Sequence, residues 1–115
     1  MEPLYGRSGE VYAWLEVETG RIINLRGKHV AFLGGDSIYG WSGKHLAWWY
    51  GDHARDHSGK VIVFTRRAKG LGPVLPALGS MPARPQVASV PPKPTRGAKP
   101  GPPEISKSWA LELPF

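Results

Sequence analysis

Four histidines carry the most obvious chemistry in this chain. His29 and His45 each stand two residues before an alanine, Ala31 and Ala47. If their surroundings repeat in space, the two imidazoles approach one another as a two-histidine metal pair. Their spacing matches no zinc or iron motif, and Asp36, Asp52, His53 and His57 are loop residues with no required relation to them. The Asp52-His53 and Asp56-His57 pairs offer acid/base chemistry only beside a nucleophile or a substrate pocket. Ser42 and Ser58 are accounted for by turn chemistry. The chain has no Cys, which removes thiol nucleophiles, Cys-ligated zinc, iron-sulfur clusters and disulfides from consideration. No catalytic residue, metal site or cofactor is expected.

Binding chemistry is better represented. Trp41 occupies a turn position held elsewhere by Arg7, Leu25 and His57, and a turn position faces solvent. Trp49 and its neighbour Tyr50 continue a strand on a face otherwise built from small residues. With His45 these aromatics form a candidate surface for stacking or for gripping a peptide. Arg66 and Arg67 begin a basic stretch continued by Lys69, Arg84, Lys93, Arg96 and Lys99, each able to meet a phosphate or an acidic partner. Pro91 to Arg96 also has the look of a polyproline ligand.

The elements that position these residues follow from where the unusual composition sits. Of 115 residues 27 are Gly or Pro, against a usual share of about 12%. Ten of the 12 prolines fall in residues 69–103, which also carry five basic and no acidic residues. Residues 1–68 have a net charge of +2 and residues 104–115 of −1. Proline lacks a donor and fixes φ, and the few apolar residues of 69–103 cannot offset ~1 to 2 kcal/mol of backbone entropy per residue, so a disordered or polyproline II linker is expected there. Beyond it, Trp109, Leu111, Leu113 and Phe115 alternate with Ala110, Glu112 and Pro114, the pattern of a short half-buried strand returning to the domain. No run approaches the ~20 apolar residues of a membrane span, and residues 1–10 lack a signal pattern, so a cytoplasmic protein is expected.

Residues 1–68 repeat. Gly9, Gly27, Gly43 and Gly59 are 18, 16 and 16 residues apart, within matching stretches Tyr5–Trp14, Ile23–Phe32, Tyr39–Trp48 and Arg55–Phe64. Asn24 and Asp56 precede their glycines by three, where an Asx oxygen accepts from the turn backbone. The spacing predicts a type I turn followed by a glycine at positive φ. Each unit is then one hairpin, and four hairpins close around a pseudo-fourfold axis, which removes free strand edges. One face carries Tyr12, Val30, Leu46 and Ile62, followed by Trp14, Phe32, Trp48 and Phe64, and is expected to be the core. The intervening Ala13, Ala31, Ala47 and Val63 are small.

These repeats resemble the bacterial four-fold β-flower domain family, over residues 3–68 and on the turn glycine followed by Lys, His or Val, an apolar residue, Ala and an aromatic. The resemblance implies an all-β fold of four petal-like hairpins and no particular activity. The expected organisation is a four-hairpin β domain (1–68), a basic linker (69–103) and a docked apolar C-terminal segment (104–115). Function is read as a non-catalytic interaction module with a protein partner. Nucleic-acid binding through the tail and exposed aromatics is the alternative, and a small enzyme using His45, His53, His57 or Asp52 comes third.

Overall fold

The computed structural model describes residues 1–115 as eight strands and no helix, so no helix is long and apolar enough to cross a membrane. The strands are β1 (Glu2–Tyr5), β2 (Val11–Glu16), β3 (Arg21–Asn24), β4 (His29–Gly34), β5 (Ser37–Tyr39), β6 (His45–Trp49), β7 (His53–Arg55) and β8 (Val61–Phe64). Each pairs antiparallel with the next, and β8 returns to β1 to close a barrel. The molecule measures 36 × 36 × 22 Å, a flattened disc with the equal sides that fourfold repetition demands.

The turn chemistry explains the repetition. In all four petals the glycine lies at positive φ, between 81° and 88°, and donates to the carbonyl three residues back (Gly6, Asn24, Gly40, Asp56). Asn24 Oδ1 accepts from the amides of Arg26 and Lys28, and Asp56 Oδ1 from those of Ser58 and Lys60, at 2.9 to 3.0 Å. A register shift follows at the same place in every petal, after Leu4, Ile22, Ile38 and Ala54. It leaves Tyr12, Val30, Leu46 and Ile62 unpaired across the hairpin.

The barrel interior is the opposite face from the one expected. Leu4, Ile22, Ile38 and Ala54 pair across each hairpin with Ala13, Ala31, Ala47 and Val63, and all eight are fully buried in one cluster. Eight strands enclose a space just wide enough for side chains, so the lining must be small or aliphatic. Petal four inverts the order, small on β7 and large on β8, and so keeps one large and one small residue per petal. The bulky Trp14, Phe32, Trp48 and Phe64 point outward yet are at most 4% exposed.

What covers them is the segment read as a linker. Residues 69–115 contain no long strand and wrap the outer wall as a strap. The amides of Gly79, Ala88, Gly97 and Ser106, nine residues apart, donate to the carbonyls of Gly9, Gly27, Gly43 and Gly59 at 2.8, 3.0, 2.6 and 3.1 Å. A Cβ on any of these four glycines would overlap the carbonyl oxygen of Ala77, Gln86, Thr95 or Glu104, respectively. Between anchors, Arg84 lies over Trp14, Lys93 over Phe32, Arg96 over Tyr39 and Lys99 over Trp48, at 5.5 to 5.9 Å, and Trp109 packs on Phe64. The strap is itself a repeat, with prolines at 76, 85, 94 and 103 and again at 73, 82, 91 and 100.

The C-terminal segment makes one parallel bridge, Val61 to Trp109, rather than an alternating strand. The chain bends at 111–112, so Ala110 is buried while Leu111 is 77% exposed. Leu113 and Phe115 then pack on the inner cluster. Phe115 also meets Tyr12, edge to ring and through its carbonyl to the hydroxyl, so the segment caps the glycine-turn end of the barrel.

Two stability measurements check this packing. Ala54→Ile overfills the interior and should cost about 1 to 3 kcal/mol in urea unfolding. Adding Val63→Ala restores the pattern of the other petals and should recover most of that loss; an additive double variant would contradict the pairing. Gly51 and Gly27 share a φ near 88°, yet Gly51 has open space around it. Gly51→Ala should therefore cost only the backbone term of about 1 to 2 kcal/mol, whereas Gly27→Ala should cost more and open the strap to trypsin at Arg96, whose following residue is Gly97 rather than proline.

Candidate functional site

The hairpins bring the expected site residues to several places. At the end of β6, Trp48 turns outward while Trp49 follows the alanine-bearing face to the barrel mouth and packs on the inner cluster. Tyr50 begins the next turn, 41% exposed, with its ring stacked on His53 at 5.0 Å and 12°. The strap crosses here, so Trp48, Trp49 and Tyr50 share a cleft of about 300 Å³ with Asp36, Lys99, Pro100 and Pro102. Lys99 Nζ reaches both Asp36 oxygens at 3.2 and 3.3 Å. The Ser37 hydroxyl, and then Lys99, hold the Asp36 carboxyl below its ordinary pKa. Two proposed residues are thus united with three strap residues and an acid that composition alone did not single out.

Trp41 does not stand in solvent. Its ring lies 5.0 Å from Phe32 and 6.2 Å from His29, half-buried, because the turn of petal three folds over the outward aromatic of petal two. Arg66 donates to the Tyr5 hydroxyl at 2.9 Å. Arg67 forks onto both Glu2 oxygens at 3.0 and 3.3 Å and onto the Gly51 carbonyl. Both arginines therefore staple the join of β8 to β1, where only Tyr5 and Phe64 are in register.

His29 and His45 do not converge. His29 Nε2 meets the Ala88 carbonyl of the strap at 3.1 Å, whereas His45 Nδ1 meets His57 Nε2 of the next petal at 2.9 Å. No cluster of three metal-ligating side chains forms. His45 Nε2 lies 2.9 Å from Ser37 Oγ, and Ser37 donates to Asp36 Oδ1 at 2.9 Å. That direction makes His45 the donor to Ser37, the reverse of the polarity by which an imidazole activates a serine. Ser37 is also wholly enclosed.

A buried arginine is the polar hub of the fourth petal. Arg55 replaces the Tyr or Ile of the other petals and is 2% exposed. Its guanidinium donates to Gly59 and Ser106 carbonyls at 2.8 and 2.7 Å, to Leu71 at 2.6 Å, and through Nε to His53 Nε2 at 3.0 Å. It ties the first turn of the strap to its last. With Nε2 accepting, His53 carries its proton on Nδ1 and gives it to Asp52 at 2.6 Å. Burial lowers the pKa of His53 despite Asp52, and burial followed by His57 lowers that of His45.

A closed barrel of four equivalent hairpins, girdled by its own repeating tail, defines the architectural class. The chain matches the family described as 4-fold beta flower protein over residues 2–115 and belongs to that family. The match extends past residues 3–68 to include the strap and the C-terminal cap. No curated protein and no solved structure matches the chain significantly.

The two imidazoles give a pH signature. Both favour the neutral form when folded, so their contribution is intact above the unfolded value of 6.5 and is lost as pH falls through the lower folded values. Thermal melts should be flat from pH 8 to 7 and decline below about 6.5. His45→Gln and His53→Gln should each flatten part of that decline; an unchanged slope in both would assign it to other groups.

Proposed function

We propose that the protein is a non-catalytic interaction module and that the Trp49–Tyr50 cleft is where it grips a protein partner. Within this reading residues 1–68 form the barrel, 69–103 the strap and 104–115 the cap. The observation that carries it is the cleft itself: three aromatic rings and two prolines around about 300 Å³, with the Asp36–Lys99 ion pair at one edge. Aromatic surface of this kind, held rigid by strands, supplies large contact area at low entropic cost. Support also comes from the cations. Arg84, Lys93, Arg96 and Lys99 lie over rings of the barrel, and Arg66 and Arg67 hold the β1–β8 join, which withdraws them from a phosphate-binding role.

Cross-linking tests the proposal. A photo-reactive residue at position 50 of the full chain should give discrete protein adducts, absent with the same residue at position 74, where Val74 is 91% exposed. Trp49→Ala or Lys99→Ala should weaken the captured complex at least about tenfold, as expected for central anchors, while moderate salt leaves it intact. Adducts to nucleic acid that vanish between low and moderate salt would replace this reading with the phosphate-binding one.

A further inference from the structure

The four junctions between petals are equivalent by repetition but not equally filled. In each hairpin the residues flanking the turn (Gly6 and Glu10, Asn24 and Lys28, Gly40 and Lys44, Asp56 and Lys60) form a bonded pair. The next pair is therefore a non-bonded one, whose outer strand residue turns its N–H and C=O away from the hairpin and into the junction. In petal four that residue is Val61, and the chain's own C-terminal segment occupies the junction. The Val61 amide donates to Ser108 at 3.0 Å, and Ala110 donates to the Val61 carbonyl at 2.9 Å. Its equivalents are Val11, His29 and His45. None of the 20 backbone bonds outside the strand ladders falls on them.

The strap explains the difference. Nine, eighteen and twenty-seven residues before Trp109, at the same register on the other petals, stand Pro100, Pro91 and Pro82. Proline there turns the strap off the strand edge, and on petal two the next residue, Pro92, stands where Ala110 donates in petal four and has no N–H to give. The edge left open at the junction of petals two and three borders a cleft of about 460 Å³, lined by Lys28, His29, Val30, Trp41, Pro91 and Phe115. His29 is 6% exposed and its Nδ1 has no partner; the buried Trp41 Nε1 has none either. The two turns flanking the cleft bear Arg26, Lys28 and Lys44 and no acidic residue.

We infer that this junction is a strand-addition site for an extended, acidic segment of a partner protein, which takes the place at His29 that Ser108–Ala110 takes at Val61. Two backbone bonds to His29 set its direction, parallel to β4. An aromatic residue between small ones, as in Ser108-Trp109-Ala110, fits the register, and carboxylates meet Lys28 and its neighbours. The site lies at the glycine-turn end of the barrel, opposite the Trp49–Tyr50 cleft, so the two stand or fall separately.

The test is a titration of the isotope-labelled full chain with a synthetic peptide of the sequence of residues 104–112, in which Lys107 is replaced by Glu. Amide and ring signals of His29 and the indole N–H of Trp41 should move together. Lys28→Glu should weaken binding at least fivefold. N-methylation of the peptide at the alanine equivalent to Ala110 should abolish it, a readout that leaves the protein untouched. Shifts confined to Val61 and Trp109 would mean exchange with the chain's own segment and would overturn the inference. So would shifts confined to Trp49 and Tyr50, the same shifts arising from self-association without peptide, or no shift at millimolar peptide.

Discussion

The contact on which this structure depends is the one between the strap and the four turn glycines. Each glycine meets two demands at once. Its positive φ completes the hairpin turn, and its missing side chain leaves room for a strap carbonyl while its own carbonyl accepts a strap amide. A single amide bond of this kind contributes about 0.5 to 1.5 kcal/mol net. Four of them, spaced by nine residues, hold an otherwise unstructured proline-rich chain in register with the barrel. A polypeptide with no ladder of its own borrows one acceptor per petal.

The strap in turn permits the barrel to be as narrow as it is. The interior admits one large and one small residue per petal, and the large aromatics have to face outward. Without a cover, Trp14, Phe32, Trp48 and Phe64 would each forfeit about 1.5 to 3 kcal/mol of burial and present an adhesive belt. Covering them with cations and prolines does both jobs, since a guanidinium or ammonium over a ring is favourable and its stem is apolar. The positive charge of residues 69–103 is thereby a packing device.

Closure is the weak point of any such ring, because β1 and β8 share only the Tyr5–Phe64 pair. The residues gathered there are the polar ones that break the repeat: Arg55, Arg66, Arg67 and Glu2. Arg55 joins both ends of the strap to petal four, so the belt is buckled where the barrel is least paired. Burying a guanidinium is costly unless its donors are satisfied, and four are. The His53 that accepts from it does so only when neutral, which couples the buckle to pH.

Much of this was legible in the amino-acid order. The spacing of Gly9, Gly27, Gly43 and Gly59, with Asn24 and Asp56 before two of them, determines four hairpins of one turn type, because turn geometry is a local matter of φ and of side chains two to four residues away. The resemblance to the β-flower family rests on the same residues, and the placement of Trp49 on the alanine-bearing face followed from strand alternation. Alternation separates two faces but does not say which one is enclosed, and eight strands enclose too little for tryptophan; only closure decided that Ala31 points in and Phe32 out. The nine-residue period of Pro76, Pro85, Pro94 and Pro103 was present in the sequence, yet proline and charge read alike in a free linker and in a strap, since what orders the strap is four carbonyls on another part of the chain. The partners of His45, the burial of Trp41 and the hub at Arg55 depend on which petals become neighbours. Tertiary structure alone supplies them.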